Sequence, residues 1–455
     1  TRQNLFKNER RILLAQREHF SNKLGFMLAA AGSAVGLGAI WKFPYMAGSN
    51  GGSAFIILFI LCMLLISLPV LIAEFMIGRR GQADAITSFK RQAPGTPWYL
   101  VGYLGTITSA LILSFYSVVG GWILSYLVRA LLFQLNSTEG TSYDTLFQSV
   151  IQNPWEMIIA QGAFFLITIF IVQAGIKSGI EKASKIIMPA LFIFFVILAI
   201  RSLTLPGAME GVRFMFVPDF SKITGETVLL ALGQAFFTLS VGISIMITYA
   251  SYLGKNENIA GTGVNVALMN VFISILAGLV IFPAVFALGF KTDEGPGLVF
   301  VILPAVFEQI PFGNFFLIIF FILLLFATLT SAMSLLEMVV SVVVKDRPKR
   351  RVRGTWLLGL FIIMIGIPSA LSEGVLSHIR IGSQSIFGFM EFLTNNIGMP
   401  IGALLISLFV GYYYTTNESK TELQTKPFFY TMWIISVRFL APIAILIIFI
   451  AGIFF

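Results

Sequence analysis

The chain has 455 residues, 57% of them apolar or aromatic and only 11% charged, which excludes an ordinary soluble domain, where roughly 45–50% apolar and about 25% charged residues are usual. Its 45 Phe, 12 Tyr and 6 Trp exclude disorder, while one cysteine (Cys62) and two histidines (His19 and His378) exclude a disulfide framework and a Cys/His metal cluster. The net charge of +9 is spread in short basic blocks between apolar stretches, a membrane-topology pattern rather than a nucleic-acid surface.

A bilayer core takes about 20 mainly apolar residues per helix. In chain order that ruler predicts eleven spans, over about 24–46, 53–78, 98–133, 155–174, 182–201, 226–252, 262–290, 314–344, 355–371, 384–413 and 430–454. Residues 1–23 ahead of them read as a polar, amphipathic tail with no cleavable signal before the first apolar run. Lys and Arg set the orientation. The tail holds Arg2, Lys7, Arg10, Arg11, Arg17 and Lys23, the loop after the second span Arg79, Arg80, Lys90 and Arg91, and the loop after the eighth Lys345, Arg347, Lys349, Arg350, Arg351 and Arg353. The connection 134–154 has Glu139 and Asp144 and no basic residue. The expectation is a multi-pass protein of the plasma (inner) membrane with a cytoplasmic N-terminus and, from the odd number of spans, an extracellular C-terminus. Residues 291–313 are too long for a turn and too short to span, and read as a folded extracellular loop capping a vestibule.

The first span carries GSAVGLG at 32–38, then Lys42 and Pro44. Each glycine weakens a helix by around 1 kcal/mol relative to Ala, although glycines at this density also serve close helix packing. Five spans later SVGIS at 240–244 echoes AVGLG at 34–38. Paired interruptions in two five-helix halves point to an inverted-repeat transporter whose site forms at the membrane midplane. Broken helix ends offer amide donors to an anion and carbonyls to a cation. Hydroxyls and amides gather in the matching spans: Gln234, Thr238 and Ser240 in the sixth, Asn270 and Ser274 in the seventh, Thr330 and Ser331 in the eighth. Such oxygens suit a hard cation. No acidic residue lies in either break, so a ligand that brings its own carboxylate, such as an amino acid, fits best.

The motifs SAVGLG-x-IWKFP at 33–44, NGG at 50–52, GQAFFTLS-x-G at 233–242 and ATLTS at 327–331 resemble the neurotransmitter:sodium symporter family, from about Arg17 to the tenth span. The resemblance implies the leucine-transporter fold: an all-α integral membrane protein of about 11 helices, with five-helix repeats over 24–201 and 226–413, broken first and sixth helices, and an additional helix at 430–454. It implies a sodium-coupled symporter of hydrophobic L-amino acids working by alternating access, and no enzyme. A non-transporting amino-acid sensor or an ion channel on the same scaffold is the alternative; a channel calls for a continuous polar stripe and a sensor for an added soluble domain.

Two sodium ions are implied. One takes the carbonyls of Gly32, Val35 and Ala327 and the hydroxyls of Thr330 and Ser331; the other takes the Ala34 carbonyl, Thr238, Asn270 and the substrate carboxylate. That carboxylate meets the amides of Leu37 and Gly38 and the Tyr116 hydroxyl. The amine meets carbonyls of Ala34, Phe237 and Thr238 and the Ser240 hydroxyl, and Ile112, Phe237, Ile243 and Leu335 line the side-chain pocket beside Ser331. Phe237 and Tyr116 form an aromatic lid.

Three positions depart from the family pattern. Ala39 replaces an asparagine whose oxygen binds sodium. Phe59 replaces the tyrosine of chloride-dependent members while Ser274 is their type of residue, so the two point opposite ways on chloride. Lys42 and Glu391 replace an outer Arg–Asp gate. At the cytoplasmic gate Arg17 keeps the family position, its expected acidic partner aligns with Lys345, and Asp346 is the substitute. Glu74 either pairs near the interface with Arg79 or holds unwound backbone; Glu337 is open to a similar choice. Gly179 and Pro189 match a pattern tied to unwinding of the fifth span on cytoplasmic release, or mark a plain proline kink.

Overall fold

A computed structural model describes residues 18–135, 142–254, 257–290, 297–345 and 347–454. Among these, nine helices are long and apolar enough to cross a membrane. A tenth crossing is the pair α1 (Lys23–Ala34) and α2 (Gly38–Ser49), bent by 52° at the break between them. The sixth expected span is two short helices, α7 (Gly225–Thr238) and α8 (Ile245–Ala250). The long helices are α3 (Ser53–Gly81), α4 (Tyr99–Leu131), α5 (Pro154–Gln173), α6 (Ile176–Leu203), α9 (Ile259–Ala287), α10 (Gly313–Val344), α11 (Lys349–Ala370), α12 (Ile386–Tyr413) and α13 (Pro427–Ile453).

The ends are set by local chemistry. Asn22 caps α1 by accepting from the Gly25 amide at 2.8 Å, and Thr224 with Thr227 forms a reciprocal capping box at the start of α7. The breaks have different causes. In the first, Val35 leaves helical geometry at φ −88°, ψ 66°. In the second, Ser240, Gly242 and Ser244 all have positive φ (53°, 89° and 60°). The two serines hold a left-handed conformation that costs an L-residue roughly 1–2 kcal/mol, so the surrounding packing must enforce it.

The long α4 and α10 pack most extensively against one another, and α1 lies among α6, α9 and α10. Both breaks are thereby enclosed. Residues Leu298–Glu308, within the expected extracellular loop, form a short helix whose Phe300 stacks on Phe147 with ring centroids 5.2 Å apart. A two-residue antiparallel hairpin pairs Arg380–Ile381 with Gln384–Ser385 ahead of α12. Gly179 lies in a π-helical turn, Ile176–Glu181, and Pro189 inside the helix that follows it, so this part of α6 is wound.

Candidate functional site

The two breaks face each other across amide bridges. Asn270 of α9 donates from Nδ2 to the Ala34 carbonyl at 2.8 Å and to the Thr238 carbonyl at 3.4 Å, joining the freed ends of α1 and α7. Gln234 donates from Nε2 to the Gly38 carbonyl at 2.6 Å and to the Thr238 hydroxyl at 3.1 Å. Ser240 and Ser331 both donate to the Ser33 carbonyl, at 3.3 and 3.1 Å. The Leu37 amide, at the start of the helical run into α2, donates to the Tyr116 hydroxyl at 3.3 Å.

Asn270 Oδ1, Gln234 Oε1, Ser33 Oγ and Ser274 Oγ are buried without a hydrogen-bond partner. A buried polar atom left unsatisfied costs roughly 1–3 kcal/mol, so oxygens of this kind beside freed carbonyls suit a dehydrated cation. Of the five residues expected at the second sodium position, Gly32 of α1 and Thr330 of α10 stand in contact across the two helices. Thr330 donates to the Ala327 carbonyl at 2.9 Å, and a Cβ on Gly32 would lie 3.1 Å from Thr330 Cβ. Val35 is fully buried.

All eleven residues expected around the substrate line one cavity of about 50 Å³: Ala34, Leu37, Gly38, Ile112, Tyr116, Phe237, Thr238, Ser240, Ile243, Ser331 and Leu335. Ser33, Gly36, Phe115, Ile245 and Met399 complete the lining. A Cβ at position 36 would stand 2.3 Å from Ser331 Oγ and 3.0 Å from the Tyr116 hydroxyl, so a larger residue there displaces these two hydroxyls. The cavity therefore has a polar end of backbone amides and hydroxyls and an apolar end of aliphatic and aromatic side chains. Next to it lies a vestibule of about 360 Å³ that shares Leu37, Phe115, Tyr116 and Phe237 with the cavity. Lys42 and Glu391 stand in the vestibule with Nζ 3.9 Å from Oε1, and the same ammonium lies 4.5 Å above the Phe237 ring.

Glu74 does not pair with Arg79. Positions five apart on a helix do not face each other. Fully buried, Glu74 accepts from the Gly242 amide at 2.7 Å and so holds the second break, whereas Arg79 pairs with Glu422 at 2.7 Å. Ser109 adds a second tie by donating to the Ile243 carbonyl at 3.0 Å. Ala39 is fully buried and brings only a methyl group, and Phe59 packs on Phe43 at 4.8 Å with no donor to offer.

The expected cytoplasmic gate residues Arg17 and Asp346 lie outside the described residues. Glu337 has partners that sequence reasoning missed. It is fully buried, forms an ion pair with Arg351 (Nη1–Oε1 3.3 Å) and accepts from the Tyr252 hydroxyl at 2.7 Å. Arg351 also donates to the Val172 carbonyl at 2.8 Å, tying α10, α11 and the end of α5 together. A lone acid deep in an apolar span was the available signal for a hidden cation. Glu18 accepts from the Ile176 amide at 2.5 Å, and Glu181 accepts from the Ser21 amide at 2.8 Å and from Lys185 at 2.5 Å, fastening the tail to the start of α6.

Broken helices enclosing a cavity, in a bundle of apolar spans, define a multi-pass membrane transporter on the leucine-transporter fold. The model of the sodium:neurotransmitter symporter family matches residues 17–146 and 138–455, and the chain belongs to that family. It is 48% identical to the sodium-dependent transporter YhdH of Bacillus subtilis, over 94% of this chain and 96% of the relative. A sodium-dependent transporter of Haemophilus influenzae is 37% identical over 96% of this chain and 99% of its own length. Among solved structures, the crystal structure of MhsT in complex with L-phenylalanine superposes with a TM-score of 0.89 at 45% identity, covering 96% of this chain and all of that one. The protein is a sodium-coupled transporter.

Proposed function

We propose that this chain carries a hydrophobic L-amino acid together with two sodium ions by alternating access. The observation that carries the reading is the two-ended cavity: freed backbone groups and hydroxyls at one end, Ile112, Phe115, Ile243 and Leu335 at the other, and no acidic residue in its lining. Burying an unpaired charged side chain at the apolar end would cost several kcal/mol, which leaves apolar side chains as the fit. The MhsT likeness, a structure holding L-phenylalanine, supports the same reading.

In this mechanism the carboxylate sits against the amides of Leu37 and Gly38 and the Tyr116 hydroxyl, where the positive end of the α2 dipole favours an anion. The amine takes the carbonyls of Ala34, Phe237 and Thr238 and the Ser240 hydroxyl. The first sodium ion joins the Ala34 carbonyl, Thr238 and Asn270 to that carboxylate, so substrate and ion each supply part of the other's site. The second ion sits between α1 and α10 on the oxygens of Gly32, Val35, Ala327, Thr330 and Ser331. Both breaks belong to separate five-helix repeats, 24–201 and 226–413, with 430–454 outside the repeat. Ligands that bridge them favour a closed arrangement, and coupling is the difference in affinity between conformations. The vestibule opens outward, the basic loops lie in the cytoplasm, and Phe237 with Tyr116 forms the lid between cavity and vestibule.

Uptake into proteoliposomes with sodium, chloride and protons varied one at a time, against a panel of amino acids, tests the reading. Leucine, isoleucine, valine, methionine and the aromatic amino acids are expected to compete, while glutamate and lysine do not. Glutamate competing as strongly as leucine overturns it, and a binding protein that moves no substrate supports the sensor alternative.

A further inference from the structure

We propose that Met399 is a specificity-determining residue, which closes the apolar end of the cavity from α12 and sets the largest side chain accepted; this rests on the amino-acid reading above. Met399 lines the cavity and is 4% exposed, yet in sequence it lies far from the motif-bearing first, sixth and eighth spans. Its aim has a local cause. The turn Leu393–Gly398 is π-helical, and the residue inserted by such a turn rotates everything after it by about 100° around the helix axis. Met399 is the first residue beyond it.

Glycines then bring this part of α12 onto the second break. A Cβ on Gly242 would lie 2.2 Å from the Met399 carbonyl oxygen, and a Cβ on Gly402 would lie 1.9 Å from the Gly242 carbonyl oxygen. A Cβ on Gly398 would meet Thr108 Oγ1 of α4 at 2.7 Å. With Gly242 also anchored by Glu74 at 2.7 Å, this wall of the cavity is backbone packed on backbone. The walls differ in what they can give. Ile112 and Ile243 are β-branched and stiff, whereas methionine is unbranched and refills irregular space at low cost. At roughly 10–15 Å³ per water on this measure, a cavity of about 50 Å³ holds the equivalent of about three to five waters. An aromatic substrate needs more, and rotation of Met399 is the least costly source.

The test compares phenylalanine and valine as competitors of leucine uptake in proteoliposomes of wild type, Met399→Ala and Met399→Phe. Met399→Ala is expected to shift the phenylalanine-to-valine affinity ratio roughly tenfold toward phenylalanine, the order of discrimination that one side-chain-sized change in an apolar pocket gives. Met399→Phe is expected to shift it toward valine. Ratios within twofold of wild type in both variants overturn the proposal. A second measurement covers variants that fail to fold: in Met399→Cys on a Cys62→Ala background, phenylalanine should slow alkylation by a maleimide and glutamate should not. Alkylation unaffected by phenylalanine also overturns it. Wild type that neither transports nor binds any hydrophobic amino acid overturns the function reading, and the two failures are thereby distinguishable.

Discussion

Gly36 shows how a missing side chain becomes a binding element. Its absent Cβ leaves Ser331 and Tyr116 free to face one small space, and we assign that space to the substrate carboxylate. Overpacking of this kind typically costs about 1–3 kcal/mol, so Gly36→Ala should weaken amino-acid binding roughly five- to 150-fold while the purified protein stays monodisperse. Unchanged affinity in a binding assay would move the carboxylate elsewhere. Ala39 makes the opposite point. In the proposed site the first sodium ion is, without an oxygen there, one ligand short unless water fills the gap, and the substrate carboxylate becomes its dominant partner. Sodium titrations should show a first site that depends strictly on leucine and a second that does not. Ala39→Asn should raise apparent sodium affinity in the leucine-bound state only; equal affinity in both proteins would remove position 39 from the site.

At the scale of elements, charge pairs join helices that local sequence does not connect. Removing one partner of a buried ion pair leaves a stranded charge and costs about 3–5 kcal/mol, whereas replacing both by apolar residues is often neutral. Glu337→Leu should therefore lower the thermal stability of the detergent-solubilised protein strongly, and Glu337→Leu with Arg351→Leu should recover most of it. Additive losses would show that the pair is not energetically coupled. Outside the membrane, the short helix Thr416–Leu423 is fastened to the end of α3 by an ion pair from Arg80 to Glu418. The Arg80 hydrogen bond, with the Thr415 amide, holds the Glu418 carboxyl down to about 2, against an ordinary value of about 4.3. A carboxylate depressed on folding adds stability that is complete above the unfolded value and is lost as pH falls through the folded one. Glu418 is 39% exposed, so solvent screening limits the gain to no more than about 1 kcal/mol. Glu418→Gln should melt slightly lower than wild type at pH 7, and the gap should narrow steadily as pH falls from about 4 toward 2. A gap independent of pH would attribute the difference to packing.

For the whole molecule, alternating access requires contacts that form in one state and break in another. Lys42 and Glu391, 3.9 Å apart and 24% and 43% exposed, suit that use because a wet ion pair contributes only about 0–1 kcal/mol. A lysine also lacks the planar fork that would lock an arginine onto a carboxylate. Glu391→Gln should slow transport and leave sodium-dependent substrate binding nearly unchanged. Loss of binding itself would place the pair in the substrate site. The buried Glu337–Arg351 pair and the Glu18 and Glu181 ties lie toward the other end of the bundle, where Arg79, Arg80 and the loops around them also meet.

Much of this architecture is legible without coordinates because it rests on local physics. Apolar runs of bilayer length must be helices, since lipid offers backbone groups no hydrogen bonds, and the glycine-rich run at 32–38 with its echo SVGIS at 240–244 marks where those helices fail. Ala34, Leu37, Gly38, Ser240 and Ile243 of the cavity lie in those runs, whereas Ile112, Tyr116, Ser331 and Leu335 on other helices come from the family resemblance. Contacts between distant residues carry no such local signal. Nothing near Glu337 announces Tyr252 as its partner, 85 residues away, nor that Met399 lines the central cavity, because a π-turn shifts the register that periodicity would use. Apolar spans also look alike whether they face lipid or protein: the best 18-residue window of Tyr99–Leu131 is 83% buried inside the protein and that of Lys349–Ala370 only 28%. Hydrocarbon and a packed core are equally apolar surroundings, so hydrophobicity reports that a helix lies in the membrane, and the packing of small and polar side chains between helices sets where in the bundle it stands.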